Sequence, residues 1–260
     1  MTRLLELRGV SKSFGGLRAV DDLSFAVEEG HIVGLIGPNG AGKSTVFNLI
    51  TGVYRPDAGQ VLWRGREITG AAPHAVAALG IRRTFQTIRL FGEMTVFENV
   101  RAGIHLRARQ RWWQGVLGLP AQRREEERLA AETRAVLARL GLADVADKPA
   151  TGLPYGLQRR VELARTLVAG PALIILDEPA AGLNEAESAA LNETIFGIRD
   201  QGITVLLVEH DMNVVMNVTD HIVVINFGRK IAEGNAGAIR ADPAVVEAYL
   251  GRAGDEEAAP

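Results

Sequence analysis

The stretch "GPNGAGKST", residues 37–45, constrains the fold more than any other part of the chain. It follows the apolar run "HIVGLI" and leads into "KSTVFNLITGVY", whose apolar residues fall at helical spacing. The pattern G-x-x-x-x-G-K-[ST] in that setting predicts strand, glycine-rich loop and helix in succession over residues 32–54. Gly37, Gly40 and Gly42 allow the backbone to turn its N–H groups inward, with Pro38, Asn39 and Ala41 completing the turn and Thr45 continuing into the helix. The amides and the positive end of the helix dipole then form a cradle for a polyphosphate. Lys43 adds a point charge for the outer phosphates, and the Ser44 hydroxyl suits a Mg²⁺ ion bound with them. A triphosphate nucleotide and Mg²⁺ are therefore expected.

Later runs, "ALIILDEP", "ITVLLVEH" and "HIVVINFG", are short, rich in Val, Ile and Leu, and separated by helical segments. They predict a mainly parallel sheet covered on both faces, hence an α/β domain. Upstream, "LLELRGV" and "LSFAV" with their Gly and Asp turns predict an N-terminal antiparallel β patch. Residues 100–148 are rich in Arg, Glu, Ala and Leu and read as a helical insert. The expected organisation is an ATP-binding core over 1–87 and 169–250, a helical subdomain over 88–168, and a disordered tail over 251–260. Within the insert, "RQRWWQGVLGLP" with Trp112 and Trp113 suits either an interface or internal packing. The segment "ADPAVVEAYLG" predicts a short amphipathic helix near the C-terminus.

The run "ALIILDEP" ends in Asp177 and Glu178. An acid at the carboxyl end of a strand in a doubly wound sheet lies beside the phosphate loop, so Asp177 is placed to hold Mg²⁺ through water. Two carboxylates about 4 Å apart repel by roughly 4 kcal/mol at an effective dielectric near 20, which makes the pair costly without a cation. Glu178 is placed to polarise an attacking water, which favours hydrolysis over transfer to a second substrate.

Composition removes competing chemistries. With a net charge of −2 the 260-residue chain has no global field to gather nucleic acid, so phosphate binding must be local. It has no cysteine, which excludes disulfides, thiolate nucleophiles and zinc–thiolate clusters. No apolar run reaches the roughly 18 residues needed to span a bilayer, and the N-terminus lacks an export signal, so a soluble, unexported chain is expected.

Four further stretches occur in fixed order: "TFQ" at 84–86, "LPYGLQRR" at 153–160, "AGLN" at 181–184 and "LLVEHD" at 206–211. Together with the phosphate loop and the acids they resemble the nucleotide-binding subunits of ABC transporters over nearly the whole chain. The combination of "FGGLRAV", "TFQTIRLFGEMTVFENV", "DEPAAGLN" and "VEHDMNVVM" resembles the ATPase subunits of branched-chain amino acid importers. The resemblance implies the P-loop NTPase fold of ABC type. It gives Phe14 an adenine-stacking place, for which a core Phe in the N-terminal sheet is the alternative. Gln86 would complete the Mg²⁺ and water shell where the membrane partner docks, and His210 would contact the γ-phosphate and the attacking water. It also implies a head-to-tail sandwich with a second ATPase subunit, two membrane permease subunits, an extracytoplasmic solute-binding protein reached indirectly, no nucleic acid partner, and a peripheral place on the cytoplasmic face of the plasma membrane. An exporter subunit of the lipopolysaccharide-extracting type, a soluble non-transport ABC ATPase and a P-loop kinase are the alternatives. "FGGLRAV" and "AAGLN" oppose the first, the single phosphate loop without a heptad run the second, and Glu178 with His210 the third.

In that family the "LPYGLQRR" stretch of one subunit caps ATP held by the other. Most relatives carry Ser where this chain has Pro154, and Gln or Glu where it has Leu157. A hydrogen bond to a charged group is worth roughly 1.5–3 kcal/mol, so losing the hydroxyl weakens that contact by about ten- to a hundredfold. The main-chain N–H groups of Tyr155, Gly156 and Leu157 are expected to remain at a helix start as donors.

Overall fold

The computed structural model describes residues 2–84, 88–106, 120–209 and 212–250. The chain divides into two compact units, one built from the residues up to Arg83 and from Ala172 onward, the other from Thr84–Pro171.

In the first unit, β1 (Arg3–Phe14), β2 (Leu17–Glu28), β4 (Ala58–Trp63) and β5 (Arg66–Glu67) form an antiparallel sheet in the order β2-β1-β4-β5. Leu5 opposes Val27 and Leu7 opposes Phe25, all four buried, so the apolar half of each strand lies on one face. The second sheet runs β10-β9-β3-β8-β7-β6, built from β3 (Ile32–Ile36), β6 (Ile81–Arg83), β7 (Leu173–Asp177), β8 (Thr204–Val208), β9 (His221–Asn226) and β10 (Arg229–Gly234). All its neighbours pair in parallel except the hairpin partners β9 and β10. Strands β3, β7 and β8 are buried at every position, which explains why they read as unbroken apolar runs and not as alternating ones.

The two faces of this sheet bury different clusters. Leu35, Val223 and Ile225 join Leu5, Leu7 and Phe47 on one side. Their sequence neighbours Ile36, Ile222 and Val224 join Val215, Ile239 and Val245 on the other. Phe47 belongs to α1 (Lys43–Ile50) and is fully buried; truncating such a ring to Ala costs about 3–5 kcal/mol. The helix after the phosphate loop stops at Ile50, short of the full extent to Tyr54 that the apolar spacing allows. Gly52 takes a left-handed φ of 76°, and a Cβ there would lie 2.1 Å from the Ala71 carbonyl oxygen, so residues 51–54 turn away. The unit also carries α2 (Pro73–Ala78), α6 (Glu185–Arg199), α7 (Met212–Val218), α8 (Ala236–Ala241) and α9 (Pro243–Leu250).

The second unit is helical: α3 (Val96–Ala102), α4 (Pro120–Arg139) and α5 (Tyr155–Leu167) enclose a core of Val96, Val100, Ile104, Leu137, Leu142 and Val161. Thr95 starts α3 through a reciprocal cap, accepting from the Glu98 amide while the Glu98 carboxylate accepts from the Thr95 amide. The side chains of Trp112 and Trp113 and the tail 251–260 lie outside the described residues.

Candidate active site

Adjacent parallel strands deliver the predicted residues to one edge of the sheet. Val208 in β8 is the register partner of Leu35 on one side and of Asp177 on the other. The loop leaving β3 at Gly37 and the acids ending β7 therefore emerge at the same carboxyl edge, two strand spacings or about 10 Å apart. This is the crevice where open α/β sheets bind ligands.

The loop is shaped by its lack of side chains. A Cβ on Gly37 would sit 2.1 Å from the Ile225 carbonyl oxygen, and one on Gly42, at φ 104°, 2.4 Å from that of Ala19. Gly37, Pro38 and Ala41 are buried, whereas Asn39 and Gly40 are exposed. Lys43 opens α1 and is buried, with its ammonium donating to the carbonyls of Gly37 at 2.5 Å and Pro38 at 3.1 Å. Ser44 is exposed and Thr45 half-buried in the same first turn.

Asp177 is a buried carboxylate, and the structure gives it a companion that the motif does not reveal. Arg83, at the end of β6, donates to Asp177 Oδ2 at 2.6 Å and to Asn48 Oδ1 at 2.7 Å, with its guanidinium 5.4 Å from the centre of the Phe47 ring. One cation thus ties the acid at the end of β7 to the helix that follows the phosphate loop. Removing one partner of a buried ion pair costs about 3–5 kcal/mol when solvent is fully excluded. Both side chains keep a little exposure, 16% and 10%, so Arg83→Met is expected to lower the unfolding free energy by about 2 kcal/mol in urea titration. Arg83→Lys should recover part of that loss, since it keeps the charge but not the two-pronged geometry.

Glu178 leaves the strand with φ 47°, the left-handed region that non-glycine residues rarely enter, and such a conformation costs about 1–3 kcal/mol. Main-chain bonds hold it there: the Glu178 amide donates to the Val208 carbonyl at 2.9 Å, and the Ala181 amide to the Glu178 carbonyl at 3.2 Å. The turn therefore diverts the chain immediately after Asp177 and separates the paths of the two acids. Glu209, fully buried beyond β8, accepts from the Ala180 amide at 2.7 Å and steadies the same turn. The apolar strand "ITVLLV" ending directly in an acid was the available signal for it. Asn184 accepts from the Glu187 amide at 2.9 Å and starts α6 as its cap, a task Asn performs as well as Asp.

Phe14 is 42% exposed, which removes the alternative of a core residue. Its ring meets Tyr54 edge-on, with centroids 5.1 Å apart, and Lys12 lies 5.6 Å from its centre. Gln86 and His210 lie outside the described residues.

In the helical unit, Pro154 is the cap residue of α5 and offers no side-chain bond. Its carbonyl accepts from both Leu157 and Gln158 at 3.0 Å. The Leu157 amide is thus already engaged, which corrects the expectation of three available donors; Tyr155 and Gly156, in the first turn, have amides without an intrahelical acceptor. The Leu157 side chain packs on the unit's apolar core, which accounts for an apolar residue there. Tyr155 is 45% exposed.

A parallel sheet carrying a phosphate loop and an acid pair at one edge, with a separate helical unit bearing a glycine-containing helix start, defines a nucleotide-binding cassette. The chain belongs to the ABC transporter family, as an ATP-hydrolysing subunit: the family pattern described as ABC transporter matches residues 20–181, and that described as branched-chain amino acid ATP-binding cassette transporter matches residues 229–255. It is 45% identical over 251 residues to the high-affinity branched-chain amino acid transport ATP-binding protein BraF of Pseudomonas aeruginosa, covering 96% of this chain and 98% of the relative. LivG of Escherichia coli, described in the same words, is 43% identical with the same coverage. Among solved structures, the ADP conformation of MJ1267, an ATP-binding cassette of an ABC transporter, superposes with a TM-score of 0.85 at 33% identity, covering 96% of this chain and all of the other.

Proposed function

We propose that this subunit powers the import of branched-chain amino acids, cleaving ATP with Mg²⁺ at a site shared between two cassettes docked on membrane permeases at the cytoplasmic face. The observation that carries the cleavage chemistry is the convergence of the phosphate loop, Asp177 and Glu178 on one sheet edge. Full-length similarity to BraF and LivG supports the cargo. Among the described residues no helix is long and apolar enough to cross a membrane.

The loop amides and Lys43 bind and orient the phosphates, the ammonium exchanging its contacts with the Gly37 and Pro38 carbonyls for phosphate oxygens. Ser44 and Asp177, with Gln86, would supply the hard oxygen ligands that suit Mg²⁺, Ser44 as an exposed hydroxyl after β3 and Asp177 as a buried carboxylate ending β7 on the same sheet edge. Bound there, Mg²⁺ would neutralise the charge developing on the phosphates. Glu178 takes the proton from the attacking water, His210 holds the outer phosphate and that water, and Phe14 stacks on the base. Tyr155 and Gly156 present their amides to the nucleotide held by the second chain.

The absence of a capping hydroxyl at Pro154 supports unequal sites in a pair whose other cassette carries Ser there. This chain's loop would receive the stronger cap and the partner's loop the weaker. Pro154→Ser is expected to raise ATP affinity at the partner's loop about tenfold in the reconstituted complex, leaving this chain's own loop unchanged. Leucine uptake by vesicles carrying the complete complex, driven by enclosed ATP, tests the cargo; ATP cleavage without stimulation by any branched-chain amino acid would refute it.

A further inference from the structure

Glu209 has no part in the chemistry above, yet it is buried as deeply as the apolar core, with 1% of its surface exposed. A carboxylate withdrawn that far from water is costly, and a leucine would fill the same space beyond β8 without that cost. An acid belongs at such a place where its oxygens are needed as acceptors. One of them, Oε1, accepts from the Ala180 amide at 2.7 Å. The residue before it, Val208, accepts from the Glu178 amide through its carbonyl at 2.9 Å. Two consecutive residues at the end of β8 therefore grip the neighbouring chain on both sides of Pro179.

That grip falls on a strained turn. Glu178 sits at φ 47°, and Gly182, four residues on, is left-handed as well at φ 79°. A non-glycine residue stays in that region only where its surroundings over-determine it. The main chain supplies part of the hold through Val208 and Ala181, and Glu209 adds a side-chain part that a substitution can remove. An Ala180 amide deprived of its acceptor would loosen the segment that follows Glu178, and with it the aim of the Glu178 carboxylate. We propose that Glu209 is a positioning residue for Glu178: its buried carboxylate fixes the turn that directs the acid at the attacking water, so Glu209 governs the rate of ATP cleavage and not the binding of ATP. The inference rests on Glu178 being the group that takes the proton from water.

The test compares Glu209→Leu, Glu209→Gln and Glu178→Gln in the assembled complex, with phosphate release and ATP affinity measured on the same preparations. Glu209→Leu keeps the bulk and removes the acceptor. It should slow cleavage about ten- to a hundredfold, as misplacing a catalytic group does, and leave ATP affinity within about threefold. Glu209→Gln retains an oxygen for the Ala180 amide and should cleave within about threefold of the unmodified complex. Added to Glu178→Gln, Glu209→Leu should slow cleavage no further, because it acts through the acid already removed. Glu209→Met, equally without an acceptor, takes its place should the leucine variant fail to fold. Unchanged cleavage in Glu209→Leu, an equal loss in Glu209→Gln, or a parallel loss of ATP affinity would each overturn the proposal. So would a further loss in the double variant, as an effect through the adjoining His210 would give. Full cleavage in Glu178→Gln would remove the base itself and this inference with it, whereas slow cleavage there beside full cleavage in Glu209→Leu would overturn the inference alone.

Discussion

Glu178→Gln is expected to lower phosphate release by the assembled complex by at least about a hundredfold while leaving ATP binding within about threefold. The amide has nearly the shape of the carboxylate but cannot accept a proton from water. The main-chain bonds that hold the left-handed turn at residue 178, to Val208 and Ala181, are untouched by the change. A phosphate-release assay and a nucleotide titration on the same preparation separate the two effects. Parallel loss of binding and cleavage would mean that Glu178 supports the fold of the edge, and equal cleavage would assign the water to another group.

Lys43→Ala should act on the other half of the chemistry, weakening ATP binding by about a hundredfold or more. The ammonium is buried and donates to carbonyls of its own loop, those of Gly37 and Pro38. Charge-assisted hydrogen bonds to phosphate contribute roughly 1.5–3 kcal/mol each, so deleting a group that reaches two phosphates removes on the order of 3 kcal/mol. Lys43→Arg should not rescue it, because a planar guanidinium is bulkier than the compact ammonium the loop encloses. Thermal unfolding with and without ATP checks this: the unmodified chain should gain stability from the nucleotide and the Ala variant should not.

The features that could be read from sequence were those whose cause is local. A glycine pattern between strand and helix, apolar runs at parallel-sheet length, and an acid pair ending one of them each carry their own steric or electrostatic reason, and the sheet assembles them at one edge. What escaped was set by strand order. Arg83 meets Asp177 only because β6 lies beside β7, although 94 positions separate the two residues. Glu209 steadies the turn after the acids because β8 lies between the loop and the acids, and Tyr54 meets Phe14 only after Gly52 turns the chain out of α1. Leu157 looked like a missing polar contact, whereas its side chain packs against the helical unit's core. The helix stopped at Ile50 because close approach of Gly52 to another segment's carbonyl outweighs apolar spacing.

Equilibrium titration of the purified full-length chain with ATP in the presence of Mg²⁺ is the most direct measurement. Saturation at a single nucleotide per chain, competed by ADP and lost in Lys43→Ala, is the expected result. No saturable binding up to about millimolar ATP would contradict the assignment of residues 37–45, Asp177 and Glu178 to a nucleotide site, and with it the coupling of this chain to transport.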